Sequence, residues 1–146
     1  GNLEASYTVG VLYDFGRGVN QDDMMAGMWY RLPAENGMAE AQLAMAVLFD
    51  SGEGILQNVV EAYAWSSIAA DQGLAVAQNN LAMLYIKGEG VEKDFDTAAM
   101  WLQLAADQGM EVARERLHLM NLSRTASAED EFDELATFET AEAEAD

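Results

Sequence analysis

The chain has 146 residues, of which 26 are acidic and 7 basic, and its formal net charge is −19. This charge repels the phosphates of nucleic acids and anionic membrane surfaces, and it allows a basic partner. The chain has no cysteine, so disulfides and thiolate metal sites are excluded. It also lacks any apolar run of the roughly 20 residues that a transmembrane helix needs.

The sequence repeats with a period of 36 residues, and no insertion interrupts the period. A single unit of this size cannot bury its own apolar face, so such a period indicates stacked repeats. The residues that recur at this spacing are Trp29, Trp65 and Trp101; Tyr13, Phe49 and Tyr85; Ala26, Ala62 and Ala98; Gly16, Gly52 and Gly88; Gly18, Gly54 and Gly90; Gly37, Gly73 and Gly109; and Ala5, Ala41, Ala77 and Ala113.

Each unit is predicted to form two helices joined by a glycine turn. Ala77, Leu81 and Tyr85 share one helical face, and Gly88 can adopt the left-handed conformation that ends a helix. Asp94 is a good N-cap for the next helix. The residues at the same place in the other units are Asp22 and Asn58. Seven helices are predicted, near residues 4–15, 22–36, 40–50, 58–72, 76–87, 94–108 and 112–123.

Pro33 departs from this pattern, because the other units have Ala69 and Ala105 at its position. A proline inside a helix removes one backbone hydrogen bond and kinks or ends the helix. Two interpretations follow: a kink that a terminal repeat tolerates, and a reshaped surface at the end of the array.

The segment 125–146 differs in composition from the repeats, since it has nine acidic residues from Glu129 onward and no basic one. Ser127 and Asp130 can form a capping box, and an apolar stripe follows them. The stripe consists of Phe132, Leu135 and Phe138. Because the ends of solenoids need polar caps, we predict a degenerate acidic capping helix near 128–140. A detachable, ligand-like tail is the alternative.

The repeated pattern resembles the Sel1-like repeat family, a relative of the tetratricopeptide repeat. The residues of one unit that match the family pattern are Ala77, Leu81, Tyr85, Gly88, Gly90, Val91, Asp94, Ala98, Trp101, Ala105, Ala106 and Gly109. The glycine that follows the family's leucine is kept only as Gly10, and the other units have Ala46 and Ala82.

The resemblance spans roughly residues 5–122 and implies an all-α fold, a right-handed α-solenoid of helix-turn-helix repeats. We expect about 3.5 repeats within a solenoid at 1–124, followed by a capping segment or tail at 125–146. The expected units are 5–40, 41–76, 77–112 and a half repeat at 113–124.

The resemblance also implies a function: a non-catalytic scaffold or adaptor that binds a peptide or partner protein in a concave groove, which the first helix of each repeat lines. The residues two, six and nine positions after each starting alanine should face this groove. They are Tyr7, Val11, Asp14, Leu43, Val47, Asp50, Asn79, Met83, Ile86, Glu115, Leu119 and Leu122. This mainly apolar row with acidic flanks suits a partner of apolar and basic character. A second copy covering the row, in a self-associating structural module, is an alternative.

Nothing in the sequence indicates catalysis, a metal or another cofactor. His118 is the only histidine, and the connectors GRG and GEG lack the pattern of a phosphate-binding loop. A hydrolase-like or β-lactam-binding function, implied through cysteine-rich relatives, remains an alternative and would need a pocket that holds His118 or a carboxylate of shifted pKa. The relatives are mostly bacterial. The first residues show no signal peptide, and a cytoplasmic and an exported location both stay open.

Overall fold

The computed structural model describes residues 1–52 and 58–144, with side-chain surroundings for residues 1–52 and 58–127. Gly54 and the side chains of the predicted capping segment beyond residue 127 lie outside these residues. The described parts form helices and connecting turns and contain no strand. None of their helices is both long enough and apolar enough to cross a membrane.

Seven helices follow one another along the described residues. They are α1 (Leu3–Phe15), α2 (Asp23–Glu35), α3 (Ala39–Ser51), α4 (Val59–Asp71), α5 (Ala75–Lys87), α6 (Phe95–Asp107) and α7 (Glu111–Glu144). The first six have 13 residues each. Their bounds lie within one residue of the predicted ones, because the residues that begin and end each helix recur with the period of the sequence.

The predicted caps are present at both kinds of helix end. The Asp94 side chain accepts hydrogen bonds from the backbone N–H groups of Asp96 and Thr97, which satisfies donors that a helix start leaves open. Asp22 and Asn58 cap α2 and α4 in the same way. The C-caps Gly16, Gly52 and Gly88 have left-handed backbone conformations.

Each helix packs mainly against its neighbours in the chain, so the helix pairs stack into an α-solenoid. We call α1, α3, α5 and the first part of α7 the A helices, and α2, α4 and α6 the B helices. Two repeated alanine positions lie where consecutive helices approach each other, and these alanines are at most 1% exposed. They are Ala26, Ala62 and Ala98 on the B helices, and Ala41, Ala77 and Ala113 on the A helices.

The first repeat buries a tyrosine where the others bury smaller side chains. Tyr30 is 1% exposed, and its hydroxyl donates a hydrogen bond of 2.8 Å to Asp14. A Cβ atom on Gly10 would lie 2.6 Å from the Tyr30 ring, so the glycine is required at this position. The equivalents of this pair are Ala46 with Ser66 and Ala82 with Leu102. The glycine that the first repeat alone keeps therefore has a packing cause.

Glutamine side chains link each repeat to the next. Gln72, at the end of α4, donates to the Gln42 side chain at 2.7 Å and to the Gly37 carbonyl at 3.1 Å. Gln108 makes the same two bonds one repeat later, to Gln78 at 2.9 Å and to the Gly73 carbonyl at 2.8 Å. Gln42 and Gln78 are themselves buried and donate to the carbonyls of Ala34 and Ala70. This glutamine ladder satisfies polar groups where helix ends meet the following helix.

Pro33 is buried inside α2 and does not shorten the helix, which has the same length as α4 and α6. The proline lies in the last turn and removes only the one hydrogen bond that an N–H group there would donate to the Trp29 carbonyl, with two helical residues left to follow it. Of the two interpretations, the tolerated substitution is favoured, since a buried side chain offers no new surface.

The predicted break between the seventh helix and a separate capping helix is wrong. The helix α7 runs without interruption from Glu111 to Glu144. Arg124 and Ala126 replace the two glycines that end the A helices of other repeats, so no residue there favours the left-handed conformation. The Ser127 hydroxyl donates to the Ser123 carbonyl at 3.0 Å within the helix, and this residue does not begin a new one. The capping role of 125–146 stays a prediction.

Candidate functional site

A groove of about 360 Å³ opens between three A helices, with α4 beneath it. Ala62 and Ser66 of α4 are buried and form its floor. The walls carry Val47 and Asp50 from α3, Asn79, Asn80, Met83 and Lys87 from α5, and Arg116 from α7. We refer to this feature as the central groove.

The repeat itself determines which side chains reach the central groove. Asn79, Met83 and Lys87 lie four residues apart on α5 and therefore share one face of that helix. Val47 occupies on α3 the position that Met83 occupies on α5. Equivalent residues of successive A helices thus come side by side, and the groove runs across the helices.

Arg116 and Asn79 join the two helices that form one end of the groove. Nη1 of Arg116 donates a hydrogen bond of 2.7 Å to Oδ1 of Asn79. Asn79 is only 4% exposed, whereas Val47 on the opposite wall is 48% exposed. The groove therefore combines a polar end held by a hydrogen bond with an accessible apolar wall.

Four of the twelve residues predicted to bind a partner lie together in the central groove. They are Val47, Asp50, Asn79 and Met83. Ile86 and Leu119 line a separate pocket of about 590 Å³ between α5, α6 and α7. Glu115 and Leu122 are exposed on α7, outside both pockets.

The other predicted residues are engaged in packing. Tyr7 and Val11 lie against the core of the first two repeats, and the Tyr7 ring is 5.5 Å from that of Tyr30. Asp14 accepts the hydrogen bond from Tyr30, and Leu43 packs against the core of the middle repeats. At these four positions the row faces neighbouring helices and does not form one continuous strip.

Lys87, Asn80 and Arg116 line the groove but were absent from the predicted row. Asn80 and Arg116 are equivalent residues of two successive repeats. Each directly follows a residue that was predicted to bind a partner, Asn79 or Glu115. The sequence feature that could have predicted these two groove residues is that both are polar. Lys87 follows Met83 by one turn, and its equivalents Phe15 and Ser51 give no such signal.

The strongest pKa shifts lie outside the groove and have structural causes. Burial, followed by the hydrogen bond to Asp14, raises the pKa of Tyr30 above its usual range. Burial also raises the pKa of Tyr7. The hydrogen bond to Tyr63 raises the pKa of Tyr85 to about 12. Hydrogen bonds from Thr97 lower the pKa of Asp94, as expected for a helix cap.

Candidate chemistry is sparse in the described residues. They contain no group of three or more His, Asp or Glu side chains placed to hold a metal ion. His118 is exposed on α7 and lines none of the pockets described above. The described side chains thus provide no pocket around His118 of the kind that the hydrolase alternative needs.

A second apolar surface lies on the outer side of the B helices. Two repeat positions four residues apart carry large apolar side chains that are between 46% and 69% exposed. They are Met28 and Leu32 on α2, Ile68 on α4, and Met100 and Leu104 on α6. We refer to these five residues as the outer row.

Helix pairs stacked in register around buried alanines define an α-solenoid repeat protein. The family model for the Sel1 repeat matches residues 3–38, 39–74 and 75–110. The chain belongs to the Sel1 repeat family. Repeat proteins of this family are generally scaffolds for protein interactions.

Solved structures show the same fold. A Sel1 repeat protein from Oxalobacter formigenes is 36% identical, with a TM-score of 0.76 over 81% of this chain and 49% of its own. A protective antigen of uropathogenic Escherichia coli with an SLR fold is 33% identical, with a TM-score of 0.79 over 81% of this chain and 25% of its own. The chain spans about half and a quarter of these two proteins. No functionally curated protein matches it significantly.

Proposed function

We propose that the chain is a non-catalytic adaptor that binds a peptide segment of a partner protein in the central groove. The observation that carries this proposal is the convergence of Val47, Asn79 and Met83, three residues predicted to bind a partner, on one groove with an accessible apolar wall. The groove crosses α3, α5 and α7, so an extended segment could contact several repeats at once. Because the repeats fix its walls, binding costs little ordering entropy in the protein.

A capture experiment with matched variants tests this proposal. The baits are the wild type, Val47→Glu and Val76→Glu, each checked by circular dichroism to be folded. Val47 and Val76 are valines of A helices with similar exposure, 48% and 45%, but only Val47 lines the groove. We expect a partner captured from lysate by the wild type and by Val76→Glu to be lost with Val47→Glu. Equal capture by both variants would refute the groove as the binding site.

A second candidate function is self-association through the outer row. The specific observation in its favour is that exposed Leu32, Ile68 and Leu104 recur with the repeat, so a second copy offers apolar residues at the same spacing. A two-fold interface needs such a self-complementary surface. Light scattering distinguishes the candidates: a dimer that dissociates with Ile68→Glu but persists with Val47→Glu would support self-association. A monomer at high concentration would exclude it.

A further inference from the structure

We propose that the central groove selects a peptide that carries a carboxylate next to an apolar side chain. The carboxylate would bind beside Arg116 and Asn79, and the apolar side chain would lie against Val47 and Met83, while Lys87 adds a second positive charge to the lining. This inference rests on the proposed function and adds the chemistry of the partner. It replaces the expected basic partner with an acidic group at this site.

Four basic side chains form no ion pair with a described residue, and two of these four lie together in the central groove. With 26 acidic and only 7 basic residues, most cations should find an acidic partner within the molecule. Three of them form ion pairs between described residues: Arg31 with Glu35, Arg114 with Glu111, and Arg124 with Asp96. Arg17 and Lys93 are exposed in connecting turns. The last two, Lys87 and Arg116, both line the central groove.

Neither groove cation is neutralised by an ion pair with a described residue. Lys87 makes no ion pair or hydrogen bond with this part of the chain, and Arg116 bonds only to the neutral amide of Asn79. Among the described residues of the lining, Asp50 is the only acidic one, so two positive charges and one negative charge are present there. The described lining therefore carries a formal charge of +1 on a protein whose net charge is −19.

Asn79 is a second polar partner beside Arg116 in the groove. Its Oδ1 atom is occupied by Arg116, and its Nδ2 atom donates no hydrogen bond to a described residue. No fully buried side-chain nitrogen among these residues lacks a partner, so Nδ2 keeps some solvent access although Asn79 as a whole is buried. A carboxylate has two oxygens that accept hydrogen bonds, and the fixed guanidinium of Arg116 presents several N–H groups to them.

A carboxylate fits the charge of the molecule better than a phosphate does. A phosphorylated side chain carries a charge of about −1.5 to −2, so the acidic protein opposes it more strongly than a single carboxylate. The apolar wall, with Val47 half exposed, offers room for an aliphatic or aromatic side chain beside the charged end. The combination favours peptide ligands over a free inorganic anion.

Selection from a display library of random peptides tests the proposal, with the folded full chain as bait. We expect the enriched peptides to share an Asp, a Glu or a terminal carboxylate next to an apolar residue. The best peptide is then resynthesised with an amide in place of each carboxylate in turn. The replacement that weakens binding shows whether the protein binds a side-chain carboxylate or the C-terminal carboxylate of the peptide. A resynthesised phosphoserine version that binds more tightly would contradict the preference for a carboxylate.

Charge-matched variants then locate the carboxylate. Lys87→Gln with Arg116→Gln should weaken the best peptide by roughly tenfold or more. Arg17→Gln with Lys93→Gln removes the same charge outside the groove and should leave affinity within about twofold, because exposed distant charges are screened. The amide peptide should bind equally weakly to wild type and to the groove variant. Equal affinities of both double variants, or full binding of the amide peptide, would overturn the inference.

The outcomes separate this inference from the proposed function. If Val47→Glu abolishes binding while Lys87→Gln with Arg116→Gln has no effect, the groove binds peptides but does not select a carboxylate. If Val47→Glu also has no effect, the groove is not the binding site and both proposals fail. Absence of any enriched peptide would likewise refute both.

Discussion

Gly10 and Tyr30 show how one residue pair adapts a repeat. The Tyr30 ring occupies the space that a Cβ atom at position 10 would need, and the other repeats pair alanine with Ser66 or Leu102. The sequence reveals that Gly10 differs from Ala46 and Ala82 of the other repeats, but not which side chain it contacts. The partner depends on which side chains meet between α1 and α2, and that is a property of packing.

Gly10→Ala should reduce the free energy of unfolding by about 1–3 kcal/mol, because the new methyl group is forced against a buried ring. Adding Tyr30→Leu recreates the pair that Ala82 and Leu102 form in the third repeat. The loss of unfolding free energy in the double variant should therefore be smaller, by at least about 1 kcal/mol, than the summed losses of the two single variants. Denaturant unfolding of all four proteins measures this coupling. Simple additivity would show that the two residues do not interact.

At the scale of helices, the caps were predictable and the polar contacts between repeats were not. Asp22, Asn58 and Asp94 act locally on the residues that follow them, so spacing in the sequence reveals them. The glutamine ladder joins residues 30 positions apart, such as Gln78 and Gln108, and depends on where long side chains point. The recurrence of glutamine at these positions was the available signal.

Replacing Gln78 tests the ladder. Gln78→Leu removes two hydrogen bonds, one to the Ala70 carbonyl and one from the Gln108 amide, and should cost about 1–3 kcal/mol of stability. The control is Gln103→Leu, since Gln103 is exposed and bonds only to Asp107 one turn away. This change should stay within about 0.5 kcal/mol in urea unfolding. Equal losses in the two variants would contradict a structural role for the ladder.

The contact between α4 and α5 predicts a pH dependence. The Tyr63 and Tyr85 hydroxyls lie 3.1 Å apart, and their hydrogen bond raises the pKa of Tyr85 from 10.0 to about 12. The contribution of this group to stability is complete below pH 10.0. As the pH rises from 10.0 to about 12, the unfolded chain releases the Tyr85 proton first, so the free energy of unfolding falls.

Absorbance titration of the phenolates checks this shift. Tyr63→Phe removes the hydrogen bond and should bring the Tyr85 pKa down toward 10.0. Tyr13→Phe removes one phenol elsewhere in the chain and should leave the pKa of Tyr85 unchanged. If Tyr85 titrates at the same pH in both variants, the hydrogen bond is not the cause of the shift.

The whole molecule is a linear array, and its stability should depend on position. Trp65 lies partly buried against the core that includes Tyr30 of the first repeat and Met45 of its own repeat, whereas Trp29 in the first repeat is 39% exposed. Trp65→Ala should therefore cost about 3 kcal/mol and Trp29→Ala on the order of 1 kcal/mol. Thermal or urea unfolding measures the difference. Equal losses at the two positions would count against an array in which each repeat contacts only its neighbours.

The period of the sequence predicted the solenoid and the bounds of six helices, because both follow from residues that recur every 36 positions. The candidate site was predicted less completely. Val47 and Met83 reach the groove as expected, but Tyr7 and Leu43 pack against neighbouring helices. Periodicity specifies the side of a helix on which a residue lies, whereas exposure depends on the sizes of the side chains opposite it.

Amide chemical shifts, followed by NMR while the best peptide from the selection is added, test the central claim most directly. If the central groove binds the partner, the shifts that move should cluster on α3, α5 and the start of α7, around Val47, Asn79, Met83 and Arg116. Shifts confined to the outer row on α2, α4 and α6 would contradict this account and assign binding to the opposite side of the solenoid.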